Sequence, residues 1–379
     1  MLASSNSATI GSSELAPLSA ALLTSAPAWR GSGTSLTKIA TGLERAGHHA
    51  VVLAGPDAVR ARFESGGAKV RQVPLGRTGW REIRAVARAL RTEGAQVVLA
   101  DMERDLRLAA LATLLRPLPL IFRYNLSRRT LEGHAFSRFL FRRVGMITFQ
   151  SVYARDRAHR TSPWLESWPS EVIANGYDAG RYRPDATAAS DFRREHGLST
   201  DATVVLSGAA LFLDKGYAHA VDAMRILRAS REVQYVICGA GDDAAAISTL
   251  ADRAGLDVRF TGQLDQAAWF GALNAADVVL HPTPGELFPN IVAEAMLVGR
   301  ALVAVDSGAT PELVGRGGDA GILVADGDAR GLATAVQALL EDRERRARMG
   351  VAARERISRQ FPIDKMEKGY VRLIESLVR

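Results

Sequence analysis

The chain has 379 residues, of which 47% are hydrophobic and 23% charged, and its formal net charge at pH 7 is +7. This length favours two domains and the apolar fraction suffices for two cores, whereas the lack of any run of about 18 uncharged apolar residues excludes a predicted membrane-spanning helix. The single cysteine, Cys238, lies in an apolar run and is predicted to be a buried thiol. Because it has no partner for an internal disulfide, a reducing, cytoplasmic setting is expected.

The positive charge is concentrated in the first half of the chain. Up to Asn175 there are 24 Lys and Arg residues against 13 Asp and Glu, whereas the rest of the chain holds 24 against 28. A basic half is suited to nucleic acid, an anionic membrane surface or a phosphorylated acceptor. A solvated arginine-rich surface without any partner explains the composition equally well.

The first half alternates short β-type runs with helical periods, which indicates βαβ units around a parallel sheet. Residues 1–16, rich in Ser and Ala, are expected to be a disordered tail because they lack the basic start and long apolar stretch of a signal peptide. Apolar residues at positions 36, 39, 40 and 43 recur at the spacing of one buried helix face. The predicted strands are Leu18–Thr24, Ala50–Ala54, Val97–Ala100, Leu120–Arg123 and Met146–Gln150, and the later helices are Trp80–Arg91, Leu106–Leu115 and His134–Arg143.

The second half repeats this alternation after a cluster of turn residues that follows Asn175. The predicted strands are Thr203–Ser207, Gln234–Cys238, Val258–Thr261, Val278–His281, Leu302–Val305 and Ile322–Val324. The predicted helices are Gly216–Arg228, Asp243–Ala254, Gln266–Asn274, Pro289–Val298 and Ala329–Glu341. We therefore predict an N-terminal Rossmann-like domain over 17–175, a linker over 176–190 and a second such domain over 191–345. Residues 346–379 are expected to form helices that cross back to the first domain.

The stretch from Pro284 to Met296 carries the most chemical information. Pro289 is predicted to open a helix directly after a strand and a loop, and the free N–H groups at such a helix start form a ready site for a diphosphate. Glu286 lies in the loop, and Glu294 lies about one turn inside the helix, where its carboxylate can accept hydrogen bonds from ribose hydroxyls. Judged on spacing alone, a loop acid and a solvated helix acid remain the simpler interpretation.

Further short motifs occur in order along the chain. They are Gly31-Ser32-Gly33 with Gly47-His48, Asn175-Gly176-Tyr177-Asp178 with Arg183-Pro184, Asp214-Lys215-Gly216, Phe260-Thr261-Gly262 with Ala276-Asp277-Val278, and Gly308 to Glu312. Together with Glu286 and Glu294, which are separated like the glutamates of an E-x7-E motif, this series resembles the retaining GT-B glycosyltransferases of family 4 (group 1). The resemblance runs from about Leu18 to Val378. It implies an α/β protein with the GT-B fold, in which two doubly wound Rossmann-like domains face each other across a cleft.

The resemblance also implies roles for individual residues. Lys215 would pair with the diphosphate of a donor, Glu286 would touch the hydroxyls of the donor sugar, and Glu294 would hold the ribose. The other implied donor-binding residues are Gly33, Gly262, Gln263, Leu264, Phe288, Pro289, Asn290 and Ile291. The implied reaction moves a hexosyl or related sugar, with retention, from a UDP- or GDP-linked donor to a glycan, lipid-linked or other anionic acceptor. No cofactor, no metal and no nucleic-acid partner is expected.

The chain departs from the family pattern at two places. Relatives carry an arginine about five residues before the lysine, where this chain has Ala209-Ala210, and often a histidine after the fourth strand of the first domain. Asp101 is the nearest polar replacement for that histidine, so it joins Glu286 and Lys215 as a candidate catalytic residue. Because this arginine and this histidine are missing, two alternative functions stay open: a non-catalytic sugar-nucleotide-binding protein and a GT-B epimerase.

One other acidic motif has a simpler interpretation. Asp326-Gly327-Asp328 matches the D-x-D pattern of metal-dependent transferases, but it follows the last strand and is interpreted as a turn with a helix cap.

The acceptor is expected on the N-terminal domain. Arg123, Arg128 and Arg129 belong to a loop that follows a strand, and three guanidinium groups there suit a phosphate or carboxylate. The predicted helix His134–Arg143 mixes arginines with phenylalanines, a composition that could also rest on the anionic inner face of a membrane. Inward packing of its apolar residues is the simpler alternative.

Overall fold

Two parallel β-sheets, each covered by helices on both faces, organise the chain. The computed structural model describes residues 16–27, 29, 31–125 and 131–379. Most of the predicted tail, and the candidate acceptor residues Arg128 and Arg129, lie outside the described residues. The α/β class and the doubly wound parallel architecture are as predicted.

The first sheet has seven strands in the order β3-β2-β1-β4-β5-β6-β7. The strands are β1 (Ser19–Thr24), β2 (His49–Ala54), β3 (Val70–Gln72), β4 (Val97–Ala100), β5 (Leu120–Arg123), β6 (Val144–Phe149) and β7 (Ser170–Val172). The helices are α1 (Gly31–Arg45), α2 (Asp57–Ser65), α3 (Trp80–Thr92), α4 (Glu103–Ala112), α5 (Ala135–Phe141) and α6 (Val152–Thr161). The apolar positions that predicted α1 are all buried on its inner face.

The second sheet has six strands in the order β10-β9-β8-β11-β12-β13. The strands are β8 (Val204–Gly208), β9 (Gln234–Cys238), β10 (Val258–Gly262), β11 (Val278–His281), β12 (Ala301–Val305) and β13 (Ile322–Val324). The helices are α7 (Ala186–Glu195), α8 (Tyr217–Arg228), α9 (Ala244–Arg253), α10 (Gln266–Ala275), α11 (Asn290–Leu297), α12 (Thr310–Val314), α13 (Ala329–Glu341) and α14 (Arg343–Gln360). Strand β12 is apolar at every residue and wholly buried, as expected where both faces of a parallel sheet are covered.

The chain passes between the two domains twice, and the passages are bonded to each other. Tyr177 N–H donates to Phe361 O over 2.9 Å, and Ile363 N–H donates back to Tyr177 O over 3.0 Å. The last helix, α15 (Ile363–Val378), then packs on α1 and completes the core beside β1. Both C-terminal helices were expected on the first domain, but α14 packs on α11 and β12 of the second, because its buried residues face that core.

The predicted linker contains an unpredicted helix. Helix α7 starts inside 176–190 and packs along α10, so the second domain begins earlier than predicted. It buries one large side chain, Phe192, which is too little for an apolar period to appear in the sequence. Among the described residues, no helix is both long enough and apolar enough to cross a membrane.

Candidate active site in the interdomain cleft

Loops from the carboxyl ends of both sheets meet across the cleft. The Ser151 hydroxyl donates to Leu287 O over 2.6 Å, which joins the start of α6 to the loop after β11. The carboxylate of Glu312 accepts hydrogen bonds from the N–H groups of Val152 and Tyr153, at 3.0 and 2.6 Å. An anion at the first turn of a helix is favourably placed, so Glu312 holds α6 against the second domain.

The two residues proposed for the diphosphate and the sugar are bonded to each other. Lys215 ends a short 3-10 turn after β8, and Glu286 lies in the loop between β11 and α11. The Nζ of Lys215 donates to Oε1 of Glu286 over 2.6 Å, and both side chains are about four-fifths buried, at 18% and 21% exposure. The structure therefore brings together two of the candidate catalytic residues.

Close backbone approaches fix this part of the site. Gly216 has a φ of +76°, and a Cβ there would lie 2.1 Å from Pro282 O, so only glycine fits. The hydroxyl of Thr283 donates to Lys215 O over 3.1 Å. A Cβ on Gly308, which has a φ of +66°, would lie 2.6 Å from the backbone of Glu286. These contacts hold the main chain of both charged residues, so only their side chains are free to reorient.

Helix α11 begins one residue later than predicted, with Pro289 as the N-cap. The N–H groups of Asn290 and Ile291 are in its first turn and have no acceptor within the helix. The side chain of Asn290 is engaged elsewhere: its Oδ1 accepts from the Tyr177 hydroxyl over 2.5 Å and from Asn175 Nδ2 over 3.4 Å. The helix start is therefore held against the crossover, with its backbone donors available to an anion.

Glu294 lies one turn inside α11 and is held by Trp269. The indole Nε1 donates to Oε2 of Glu294 over 2.7 Å. Burial raises the pKa of Glu294, while the indole hydrogen bond and the nearby Lys38 act in the opposite direction. One carboxylate oxygen is thus positioned by Trp269, and the side chain retains acceptor capacity for a ligand hydroxyl.

Sequence reasoning did not identify Lys38 as part of the site. From α1 it crosses to the linker, where its Nζ donates to Gly176 O over 2.8 Å and lies 4.0 Å from the centre of the Tyr177 ring. Burial lowers the pKa of Lys38 to about 8, and the charge of Glu294 partly opposes this effect. The helical period of α1 gave no signal for it, because a lysine beside an apolar face normally extends into solvent.

His281 was also missed, although it ends a predicted strand. It is 1% exposed, and its Nε2 lies 4.0 Å from Oε2 of Glu286. In the described part of the chain neither ring nitrogen has a hydrogen-bond partner. Burial lowers the pKa of His281; the charge of Glu286 opposes this shift and that of Lys215 adds to it.

The remaining donor candidates surround α11. Gly262 has a φ of +71° and leads from β10 into exposed Gln263 and half-buried Leu264. Phe288 is buried, with its ring 6.4 Å from that of Tyr177 and nearly parallel to it. Phe288 therefore supports the crossover rather than presenting its ring to the open cleft.

Asp101 and Arg123 do not face the cleft as predicted. Their exposures are 0% and 1%, and Nη1 of Arg123 donates to Oδ1 of Asp101 over 2.7 Å. Arg123 also donates to Oδ1 of Asn175 over 3.2 Å, and Asn125 donates to Asp101. The expectation that Arg123 binds an acceptor is wrong, because its charge is enclosed by this network. Asp101 is its internal counter-ion, which does not fit contact with a substrate.

Gly33 packs against the side chain of Trp29. A Cβ there would lie 3.1–3.3 Å from the ring of Trp29. Gly31 makes the close approach to the second domain, since its Cβ would lie 2.5 Å from Nδ2 of Asn290. The glycine pair lies at the start of α1, and donor binding by Gly33 stays a prediction.

A cavity of about 560 Å³ opens at the carboxyl ends of β1, β2 and β3. Its walls are largely apolar, and Arg104 from α4 is the cation that lines it. The lining residues include Ser25, Pro27, Pro56, Gln72, Pro74 and Leu75. This cavity lies on the opposite half of the sheet from the loop chosen in the sequence.

Two secondary predictions hold. Cys238 is buried and its pKa is raised to about 12 by that burial, as expected of a structural thiol. Asp328 of the D-x-D sequence caps α13 by accepting from Gly331 N–H over 2.8 Å. The described residues contain no group of three or more side chains suited to hold a metal ion.

Comparison with known proteins gives the same family for both domains. The model of "Glycosyltransferase Family 4" matches residues 29–181, and that of "Glycosyl transferases group 1" matches residues 189–356. The two matches follow one another along the chain and meet near the crossover.

Most of the similar curated proteins are named as mannosyltransferases. A phosphatidyl-myo-inositol mannosyltransferase of Mycolicibacterium smegmatis is 35% identical over 49% of this chain and 47% of its own length. The lipopolysaccharide core biosynthesis mannosyltransferase LpsB of Rhizobium meliloti is 31% identical over 64% of this chain and 69% of its own. For the curated relatives matched first, the chain spans about half to two thirds of their length.

Solved structures share the whole architecture. Anabaena HepE, crystallised with UDP-glucose, superposes with a TM-score of 0.82 over 95% of this chain and 100% of its own, at 21% identity. A glycosyltransferase of Rickettsia africae gives the same TM-score at 13% identity over 96% of this chain and 99% of its own. With family matches on both domains and more than two thirds of LpsB covered, the chain belongs to the group 1 glycosyltransferases of family 4, which have the GT-B fold.

Proposed function

We propose that the protein transfers a hexosyl or related residue from a nucleoside diphosphate sugar to an acceptor, with retention and without a metal ion. One observation carries this proposal: the Lys215–Glu286 pair, the free N–H groups at the start of α11 and the carboxylate of Glu294 all lie at one edge of one sheet. This edge, at the carboxyl ends of parallel strands, is where such folds bind nucleotides.

The chemistry requires the site to stabilise a departing diphosphate. As the bond from the anomeric carbon to the phosphate oxygen breaks, negative charge grows on the diphosphate. An acceptor hydroxyl oxygen forms the new bond from the same face, and its proton passes to the departing phosphate oxygen. The Lys215 ammonium and the N–H groups of Asn290 and Ile291 would stabilise that charge. These three donors would offset the loss of the arginine that relatives carry before the lysine.

The donor is proposed to be GDP-mannose in the first instance. Several relatives are named as GDP-mannose-dependent mannosyltransferases, among them one of Mycobacterium tuberculosis that is 32% identical over 60% of this chain. HepE, in contrast, was crystallised with UDP-glucose. The exposed Gln263 loop after β10 would meet the base, where the choice between guanine and uracil is made.

The test is nucleotide release from a panel of GDP-mannose, UDP-glucose and UDP-galactose, with EDTA present and absent. Slow hydrolysis of one donor that EDTA does not abolish is the expected result. Binding without any turnover would favour a sugar-nucleotide-binding protein, and conversion of one donor sugar into another would favour an epimerase. Loss of turnover in EDTA with recovery in Mg²⁺ would contradict the metal-independent mechanism.

The acceptor is proposed to enter the cavity beside Arg104 and to be anionic. A guanidinium at the rim of an apolar cavity suits a phosphate attached to an apolar or sugar-like body. Changing Arg104 to Gln should raise the acceptor KM about tenfold, the loss expected for one charge-assisted hydrogen bond, and leave donor hydrolysis unchanged. Changing Arg128 and Arg129 to Ser tests the loop predicted from the sequence, and an equal fall in donor hydrolysis would exclude an acceptor role.

Peripheral membrane contact is proposed for the patch where α4 and α5 meet. Its members are the exposed Leu114, Leu115, Phe136 and Phe139 together with the exposed Arg116, Arg138 and Arg142. Arg143 joins the two helices by donating to Thr113 O over 3.1 Å. Apolar side chains among arginines fit an anionic lipid surface, and Glu132 is an exposed acid nearby.

Sedimentation with vesicles tests the patch. Binding to phosphatidylcholine containing phosphatidylglycerol, but not to phosphatidylcholine alone, is expected, and salt should weaken it. Leu115→Glu with Phe139→Glu should abolish binding, whereas Val351→Glu, at another exposed apolar position on the other domain, should not. Unchanged binding of the double variant would disprove this contact.

A further inference from the structure

His281 has no hydrogen-bond partner, although it lies in the interior. Its side chain is 1% exposed at the end of a central strand, and both ring nitrogens are unsatisfied among the described residues. A buried polar group without a partner lowers stability, so such groups in native structures call for an explanation. The carboxylate of Glu286 lies 4.0 Å from its Nε2.

The Glu286 carboxylate is held away from His281 by Lys215. Its Oε1 lies 2.6 Å from Nζ of Lys215, while Oε2 faces the imidazole. This contact uses one N–H of the ammonium that the donor diphosphate would need. A diphosphate that binds Lys215 adds a second, more highly charged anion, which competes with Glu286 for the ammonium and weakens its hold on the carboxylate.

The surroundings limit where the released carboxylate can go. Gly308 packs against the backbone of Glu286, and Ala309 N–H donates to Glu286 O over 2.9 Å. The main chain is thus fixed and only the side-chain torsions can change. Closing the gap from 4.0 Å to a normal hydrogen bond of about 2.9 Å needs a movement of roughly 1 Å.

We propose that His281 is a positioning residue. When a donor diphosphate binds Lys215, His281 replaces Lys215 as the hydrogen-bond partner of Glu286. In the empty site Glu286 bonds Lys215 and His281 has no partner; in the donor complex the imidazole N–H donates to Glu286 and holds it towards the sugar. The assignment of the diphosphate to Lys215 rests on the proposed function. The exchange gives the carboxylate and Nε2 of the imidazole partners in the complex, so the cost of the unsatisfied Nε2 is removed on binding.

The exchange predicts that the effect of His281→Leu on the thermal midpoint has opposite signs in the parent protein and in a Lys215→Met background. This effect can be measured without any substrate. In the parent protein His281→Leu removes an unsatisfied polar group, so the thermal midpoint should rise, by roughly 2–4 °C. In a Lys215→Met background Glu286 has lost the lysine and should already bond His281. There, His281→Leu should lower the midpoint, because it leaves a buried carboxylate without a partner.

The control is His281→Gln, whose amide N–H can replace Nε2 as a donor. It should retain turnover within about threefold, whereas His281→Leu should lower kcat about tenfold with little change in donor KM, as expected for one charge-assisted hydrogen bond. An effect of His281→Leu with the same sign in both backgrounds would overturn the exchange, whatever the activity. If no donor is turned over but the effect of His281→Leu on the thermal midpoint reverses between the two backgrounds, the proposed function fails and the exchange of partners stands.

Discussion

Trp269 and Glu294 are joined by a hydrogen bond of 2.7 Å from the indole Nε1 to Oε2. Burial is the larger influence on this carboxyl group, and it raises the pKa of Glu294 above the ordinary value of 4.5. A carboxyl group with a higher pKa in the folded than in the unfolded state lowers stability as it ionises. The contribution of Glu294 to stability is therefore greatest below pH 4.5 and is lost as the pH rises through the raised value.

Glu294→Gln should accordingly stabilise the empty protein at pH 7. The urea midpoint of the variant should exceed that of the parent at pH 7, and the two should converge below pH 4.5. Nucleotide affinity should fall in the same variant, since the amide is a weaker acceptor for ribose hydroxyls. Glu344→Gln, at a position 88% exposed, should show neither change. If Glu294→Gln lowered the urea midpoint, and lowered it more at pH 7 than at pH 4, the ionised carboxylate of Glu294 would not be destabilising.

Lys38 should give stability a second pH dependence. Because burial lowers its pKa from 10.5 to about 8, its contribution is complete above pH 10.5 and is lost as the pH falls through 8. Lys38→Met should remove this part of the pH profile of the urea midpoint and raise the midpoint at pH 7. Lys368→Met, at a lysine 80% exposed, is the matched control. If the urea midpoints of the parent and Lys38→Met depend on pH in the same way, burial does not lower the pKa of the Lys38 ammonium.

Lys215→Ala should weaken the binding of GDP or UDP about ten- to a hundredfold, the effect of one charge-assisted hydrogen bond of about 1.5–3 kcal/mol. Binding of the nucleoside should be unaffected, because it lacks the phosphates. Calorimetric titration of each ligand into both proteins measures the difference, with Lys69→Ala, at a lysine 67% exposed, as the control. Equal affinity of variant and parent for the diphosphate would remove Lys215 from the donor site.

Glu312→Gln should loosen the contact between the domains. Its carboxylate accepts from two N–H groups at the start of α6, a contact that contributes about 0.3–2 kcal/mol when an anion meets a helix start. The radius of gyration from small-angle scattering should increase for the empty variant and return towards the parent value with nucleotide. A radius that does not change would show that the Ser151–Leu287 bond suffices to hold the cleft.

Much of the fold followed from periodicity, and the misses share a physical cause. The central strands are mostly apolar and buried, so their positions were predicted closely. Strands β3 and β7 each have three residues at a sheet edge, where half-buried side chains give no apolar run. Helix α7 was missed because it buries one large residue against α10.

The site was predictable where its residues belong to short recognisable motifs. Lys215, Glu286 and Glu294 follow strands whose ends adjoin in the sheet, so adjacent strands bring them together. Arg123 was misassigned because its counter-ion, Asp101, follows a different strand, and their contact depends on the order of β4 and β5 in the sheet. Lys38 and His281 carry no local signal, since one belongs to an ordinary helix and the other to an ordinary strand.

The position of α15 has a consequence for synthesis on the ribosome. Its side chains Met366, Tyr370, Leu373 and Ile374 belong to the core that β1 and α1 begin. At about 5–20 residues per second, the stretch between β7 and α15 takes roughly 10–40 s to translate. During that interval the first domain exposes the apolar surface that α15 will cover, while the second domain can already close its own core. The domain made first is therefore the last to be completed, and a chaperone that shields nascent chains would find its binding surface there.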